Sequence, residues 1–299
     1  MREILRILCP IDRSEPSRLA LDYAARLAAG LGSQLTVLEV LDLATPVLPT
    51  GAGGPKLEPG FRQSLTDALD ALVAPVRESG VEIETRLAEG HVVSEIIRAA
   101  AELPADLVVA GTHGRSGFER FLLGSTAEKL LRKAICPTLT VPPGARPAAS
   151  PPFRRVLCAT DFSEASQDAL AYAVRFARDA QGEVLVVHAL EWPLGSVPEG
   201  DDAVSRLHRS LEEEARSQLA EAIRAADAGE VRCEPIVRTG RPRQVVAELA
   251  ASRDVDLICV GATGRGAVPA TVLGSTTSHI VQSAECPVLT VPPRRQRGG

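Results

Sequence analysis

The chain has 299 residues, 45% of them hydrophobic and 24% charged, with a formal net charge of −5. These proportions fit a globular protein with room for one large domain or two of ordinary size. The acidic balance, the scattered arginines and an aromatic content of 3% exclude a nucleic-acid surface, and no apolar run approaches the roughly 18 residues that cross a bilayer.

The chain opens with charges inside its apolar stretch (Met1–Pro10) and no small-residue cleavage site, which does not read as a signal peptide. Ile4–Asp12 is strand-like. Ser14 is placed to cap a helix with Pro16 in its first turn and Leu19, Tyr23 and Leu27 on one face. Leu35–Leu41 forms a second strand. A Pro/Gly-rich loop, Thr45–Gly60, precedes a helix carrying Leu65, Leu69, Leu72 and Val76 in register. Val81, Ile83, Thr85 and Leu87 alternate as a third strand. A helix over Val92–Glu102, a strand at Leu107–Gly111, a helix from Ser125 and a strand at Cys136–Val141 complete the unit. The second half repeats this order, with a longer helix at about 202–226.

The halves match at anchors spread along their length. Asp12 and Asp161 each close a first strand. Ser14 and Ser17 match Ser163 and Ser166, Cys9 matches Cys158, and Cys136 matches Cys286 within two closing Cys-Pro-x-Leu-Thr-Val-Pro-Pro stretches. This divides the chain into domain 1 over residues 1–144, a stiff Pro/Ala-rich linker over 145–152, domain 2 over 153–293 and a tail over 294–299. The six cysteines lie without Cys-x-x-Cys spacing, the four repeated ones in apolar contexts, as thiols of a reducing cytoplasm would. Strands alternating with helices predict two tandem α/β domains, each a doubly wound, parallel, five-stranded Rossmann-like sheet. Ligands of such sheets bind beyond the strand carboxyl ends, where the winding reverses.

The chemistry sits in a glycine pattern that occurs twice. Gly111-Thr112-His113-Gly114 is followed after nine residues by Gly124-Ser125-Thr126; half a chain later, Gly261-Ala262-Thr263-Gly264 is followed after nine residues by Gly274-Ser275-Thr276. A strand that stops at glycine and returns to a Gly-Ser-Thr helix start builds a phosphate cradle from backbone N–H groups. Arg115 and Arg265 follow the second glycine of each copy, within reach of phosphate oxygens or else simply exposed.

With an aspartate closing the first strand and Ser-x-x-Ser after it, this pattern resembles the universal stress protein family in its tandem two-domain form, and specifically its ATP-binding branch. The resemblance covers both halves. It implies the adenine nucleotide alpha hydrolase-like variant of the fold and ATP, with Mg, as ligand. Adenine is then expected against backbone at Val40 and Ala189. The ends of the first strands, Pro10-Ile11-Asp12 and Ala159-Thr160-Asp161, face the nucleoside. Gly111, Thr112 and Gly114 take ribose and phosphates, and Gly124, Ser125 and Thr126 the outer phosphates. Gly261, Ala262, Gly264, Gly274, Ser275 and Thr276 do the same in the second half. Family dimers meet through the last strand, which implies an internal pairing of the two halves or a homodimer.

Plainer readings compete at each position. The glycines permit tight turns with positive φ, Ser125 with Glu128 spells a capping box, and Asp12 competes with Ser14 as a helix cap. The pattern lacks the lysine of a phosphate-binding Gly-x-x-x-x-Gly-Lys-Ser/Thr loop and shows no repeated residue to orient an attacking water. The expected function is therefore a cytoplasmic regulatory ATP binder with absent or slow hydrolysis; a weak Mg-dependent ATPase switch and a nucleotide-free scaffold are the alternatives. The second copy has Gly266–Ala270 where the first has Ser116–Arg120, so the first site is expected to hold ATP more tightly.

Overall fold

The computed structural model describes residues 3–42, 59–113, 123–149, 152–192, 203–265 and 273–293. The predicted loops around 45–60 and 192–200, the linker residues 150–151, the spacers 114–122 and 266–272 and the tail lie wholly or mainly outside them. The chain divides into two compact units, built on Arg2–Pro143 and Pro151–Gly299.

In the first unit β1 (Arg6–Ile11), α1 (Glu15–Leu31), β2 (Gln34–Leu41), α2 (Pro59–Glu78), β3 (Ile83–Glu89), α3 (Val92–Glu102), β4 (Leu107–Gly111), α4 (Ser125–Lys133) and β5 (Thr138–Val141) alternate along the chain. The second unit repeats the plan with β6 (Arg155–Ala159), α5 (Glu164–Asp179), β7 (Glu183–Leu190), α6 (Ala203–Ala225), β8 (Arg232–Thr239), α7 (Pro242–Ser252), β9 (Leu257–Gly261), α8 (Ser275–Ser283) and β10 (Val288–Val291). The strands of each unit pair in parallel, in the orders β3-β2-β1-β4-β5 and β10-β9-β6-β7-β8. The winding therefore reverses between β1 and β4, and between β6 and β9. That is where a doubly wound sheet opens its ligand crevice.

The central strands are apolar on both faces, as helix-covered parallel strands must be. Ile7, Leu8 and Cys9 of β1 and Val156, Leu157 and Cys158 of β6 are buried. Burial pushes the Cys9 thiol up to about 12 and raises that of Cys158 as well, which keeps both protonated. On one side of the first sheet, Leu8, Leu38 and Val108 pack with Ile96, Ala99, Ala100 and Leu130 of α3 and α4; Val40 and Ala88 join the edge of this cluster.

One local expectation shifts. The face of α1 turned to the core is Ala20, Ala24 and Ala28 with Tyr23 and Leu27, while Leu19 is half-buried. The start of the helix lies close against β4: a Cβ on Gly111 would sit 3.1 Å from the Pro16 carbonyl. Asp106 and Asp256, just before β4 and β9, tie neighbouring strands together. Asp106 accepts from the Leu5 and Arg6 amides at 2.9 and 3.0 Å, and Asp256 from those of Arg154 and Arg155 at 3.0 and 2.9 Å.

Candidate functional site

Each unit brings its aspartate and its glycine loop to one end of the sheet. In the first, β1 pairs with β4 through Ile7–Leu107 and Leu8–Val108, so Pro10, Ile11 and Asp12 end beside Gly111 and Thr112. In the second, β6 pairs with β9 from Val156–Leu257 to Ala159–Val260, which sets Thr160 and Asp161 beside Gly261. Gly114 and Arg115 lie outside the described residues.

The turns after the first strands explain the Ser-x-x-Ser spacing. Ser14 and Ser163 are the N-caps of α1 and α5 and accept from the amides of Ser17 and Ser166. Asp12 is thus not the cap. Its Oδ1 accepts from the Ser14 amide at 3.0 Å and the Ser14 hydroxyl at 2.5 Å, and Asp161 does the same with Ser163 at 3.1 and 2.6 Å. The second oxygen of Asp161 accepts from the Arg265 amide at 2.8 Å, pinning the glycine loop to the end of β6. Burial works to raise the Asp161 pKa, but the donors from Ser163, Arg265 and Ser166 together hold it below the ordinary carboxylate value.

The glycines serve close approach. Among the described motif glycines none has positive φ, which removes the turn reading for Gly111, Gly124, Gly261, Gly264 and Gly274. A Cβ on Gly264 would stand 2.5 Å from Asp161 Oδ2, one on Gly124 2.8 Å from the Thr112 carbonyl, and one on Gly261 3.0 Å from backbone of α5. The capping-box reading of Ser125 also fails: the N-cap is Gly124, and Glu128 pairs with Arg132 at 2.7 Å. Gly274 likewise caps α8, and neither glycine position receives a side-chain capping bond. The first turns of α4 and α8 thus have no N-cap side chain to accept from their N–H groups, and Ser125, Thr126 and Ser275 are exposed at these helix starts.

The described residues of the second unit enclose a cavity of about 460 Å³, within the range of small-molecule and cofactor sites. One end is apolar, walled by Val187, Ala189, Pro242 and Val246; the other is polar, formed by Gly261, Gly264, Gly274, Ser275 and Thr276, with Ala159, Thr160 and Asp161 between them. Two expected residues do not line it. Ala262 is buried, its carbonyl accepting from the Gly274 amide at 2.8 Å. The Arg265 guanidinium lies over the Phe162 ring, 5.2 Å from its centroid. Pro242, Val246 and Thr277, whose hydroxyl donates to the Gly261 carbonyl at 2.7 Å, were not singled out in sequence. Their proximity depends on how α7 and α8 pack, which no local motif encodes.

Behind each aspartate the units differ. Arg13, at φ 65°, makes a bidentate pair with buried Glu39 at 2.8 and 2.7 Å. At the matching place Phe162, at φ 64°, stacks on His188 with centroids 4.5 Å apart. The His188 Nδ1 lies 2.8 Å from the Thr160 carbonyl, to which it donates as the Nδ1–H tautomer. The signal for this exchange was paired: both positions change together between the halves.

A model of the universal stress protein family matches residues 3–142 and again 152–292. A universal stress protein of Methanocaldococcus jannaschii is 34% identical over 137 residues, covering 46% of this chain and 81% of its own. One of Mycolicibacterium smegmatis is 29% identical over 299 residues, covering 96% of this chain and 97% of its own. The crystal structure of an Archaeoglobus fulgidus universal stress protein, 22% identical, covers 98% of this chain and 100% of its own with a TM-score of 0.70, a likeness of fold. With the family model matched twice and a relative aligned nearly end to end, the chain belongs to the universal stress protein family, in a tandem form.

Proposed function

We propose that the protein is a regulatory nucleotide binder whose two glycine-loop sites hold ATP with Mg, hydrolysed slowly or not at all. The observation that carries this reading is the two-ended cavity at the winding reversal, apolar along β7 and α7 and rich in backbone N–H groups and hydroxyls at the α8 start. Gly261 and Gly264 lie where side chains would intrude on backbone of α5 and on Asp161, so the cradle keeps room for phosphate. Ser275 and Thr276 supply hydroxyls to phosphate oxygens, and Ser125 and Thr126 do so in the first unit; Ser125 and Ser275 are the hydroxyls offered to the metal. Ala189 and Val40 present strand backbone to the base, and Asp12 and Asp161 face the nucleoside. The bound group would supply a removable, highly charged ligand that orders these loops. A cytoplasmic role and pairing through the closing strands belong to the same reading; fractionation and sedimentation test them.

The test uses the full chain. Denaturing the purified protein is expected to release adenine nucleotide, and Mg-ATP at a hundredfold excess over Kd is expected to stabilise it by about 2.7 kcal/mol per coupled site. No released nucleotide and no thermal shift would overturn the reading.

A further inference from the structure

Resting on that reading of the second cavity, we infer that Arg238 sets its base preference, favouring a 6-oxopurine nucleotide over an adenine nucleotide. Register places the residue: Ala189 of β7 pairs with Arg238 of β8, as Val40 pairs with Ala88 in the first unit. Partners in a parallel pair point to the same side of the sheet. In the first unit Leu38, Val40 and Ala88 all lie on the side covered by α3 and α4. In the second, Val187 and Ala189 line the cavity under α7 and α8, and Arg238 stands one strand outward on that face.

Where the first unit offers a methyl group beside the base strand, the second offers an exposed guanidinium. Among the described residues no carboxylate pairs with Arg238, whereas Arg155, Arg216 and Arg253 of the same unit are each paired. The following turn carries Arg241 and Arg243 on either side of cavity-lining Pro242.

The chemistry then selects the base. Arginine has only donors, in a planar fork. A 6-oxopurine presents two acceptors on one edge, O6 and N7, which the fork meets bidentately; adenine presents N7 beside an amino donor, which repels it. A good bidentate pair discriminates by about tenfold or more.

Mg-GTP and Mg-ATP carry the same phosphates, so titrating each into the full chain isolates the base. Calorimetry on the native chain and on Gly264→Val, in which a side chain is driven onto Asp161 at the second cavity, assigns each titration to its site. GTP is expected to bind there about tenfold more tightly than ATP, with the preference lost in Arg238→Ala and largely lost in Arg238→Lys, which keeps charge but not the fork. Equal affinities, tighter ATP, or a preference unchanged in Arg238→Ala would overturn the assignment alone. If neither nucleotide binds the second cavity, the underlying reading falls with it.

Discussion

At the scale of single residues, Asp161 does two jobs that sequence reading could not separate. It accepts from the turn that starts α5 and from the amide that opens the glycine loop. Because its folded pKa lies below the ordinary value, the stabilisation it lends is complete above the unfolded carboxylate range and lost as pH falls through the lower, folded pKa. Unfolding midpoints from pH 7 down to below about 4 should fall more steeply for the native chain than for Asp161→Asn. Parallel profiles would show that the carboxylate is not coupled to folding. Gly264→Val drives a side chain into this carboxylate and should remove one bound nucleotide per chain, counted by calorimetry.

The exchange of Arg13–Glu39 for Phe162–His188 also belongs here. Removing one partner of a bidentate, mostly buried pair leaves a charge stranded, so Glu39→Ala should cost about 2–4 kcal/mol in chemical denaturation. Installing the second unit's solution, Arg13→Phe with Glu39→His, should cost less than the sum of the two single changes. Strict additivity would mean that the two positions do not act as a pair.

Among the elements, what was legible followed from period and punctuation. β4 and α3 match the bounds read from sequence because glycine ends one and flanking turn residues close the other. On the core face of α1, Tyr23 and Leu27 follow the apolar period, whereas Leu19 is half-buried and Ala20, Ala24 and Ala28 complete the buried face. The cradle was legible as a motif, yet its cause was not. Spacing alone cannot tell a left-handed turn from a glycine pressed against backbone, and only the Thr112 carbonyl beside Gly124 decides it. The apolar wall was invisible because Pro242 and Val246 reach the cavity through helix packing. An exposed α4 start without a side-chain cap predicts that Ser125→Ala leaves the unfolding midpoint within about 0.5 kcal/mol of native while weakening Mg-ATP binding. A large loss of stability without loss of affinity would return the serine to a structural role.

For the whole molecule, duplication gives two copies of one crevice with different surroundings. The first has Ala88 beside its base strand and the second has Arg238, so ATP should favour the first. In equilibrium binding, Gly124→Val is then expected to remove more ATP affinity than Gly264→Val, and the reverse order would contradict this asymmetry.

The buried thiols of β1 and β6 carry a consequence of another kind. Cys9 and Cys158 occupy matching places on the middle strand of each unit, fully buried and held protonated. A thiol reagent can reach either one only when that strand comes free, so labelling becomes a clock for opening. Peptide mapping after timed exposure would give each unit its own rate, and a nucleotide that slowed only one clock would name the unit it had entered.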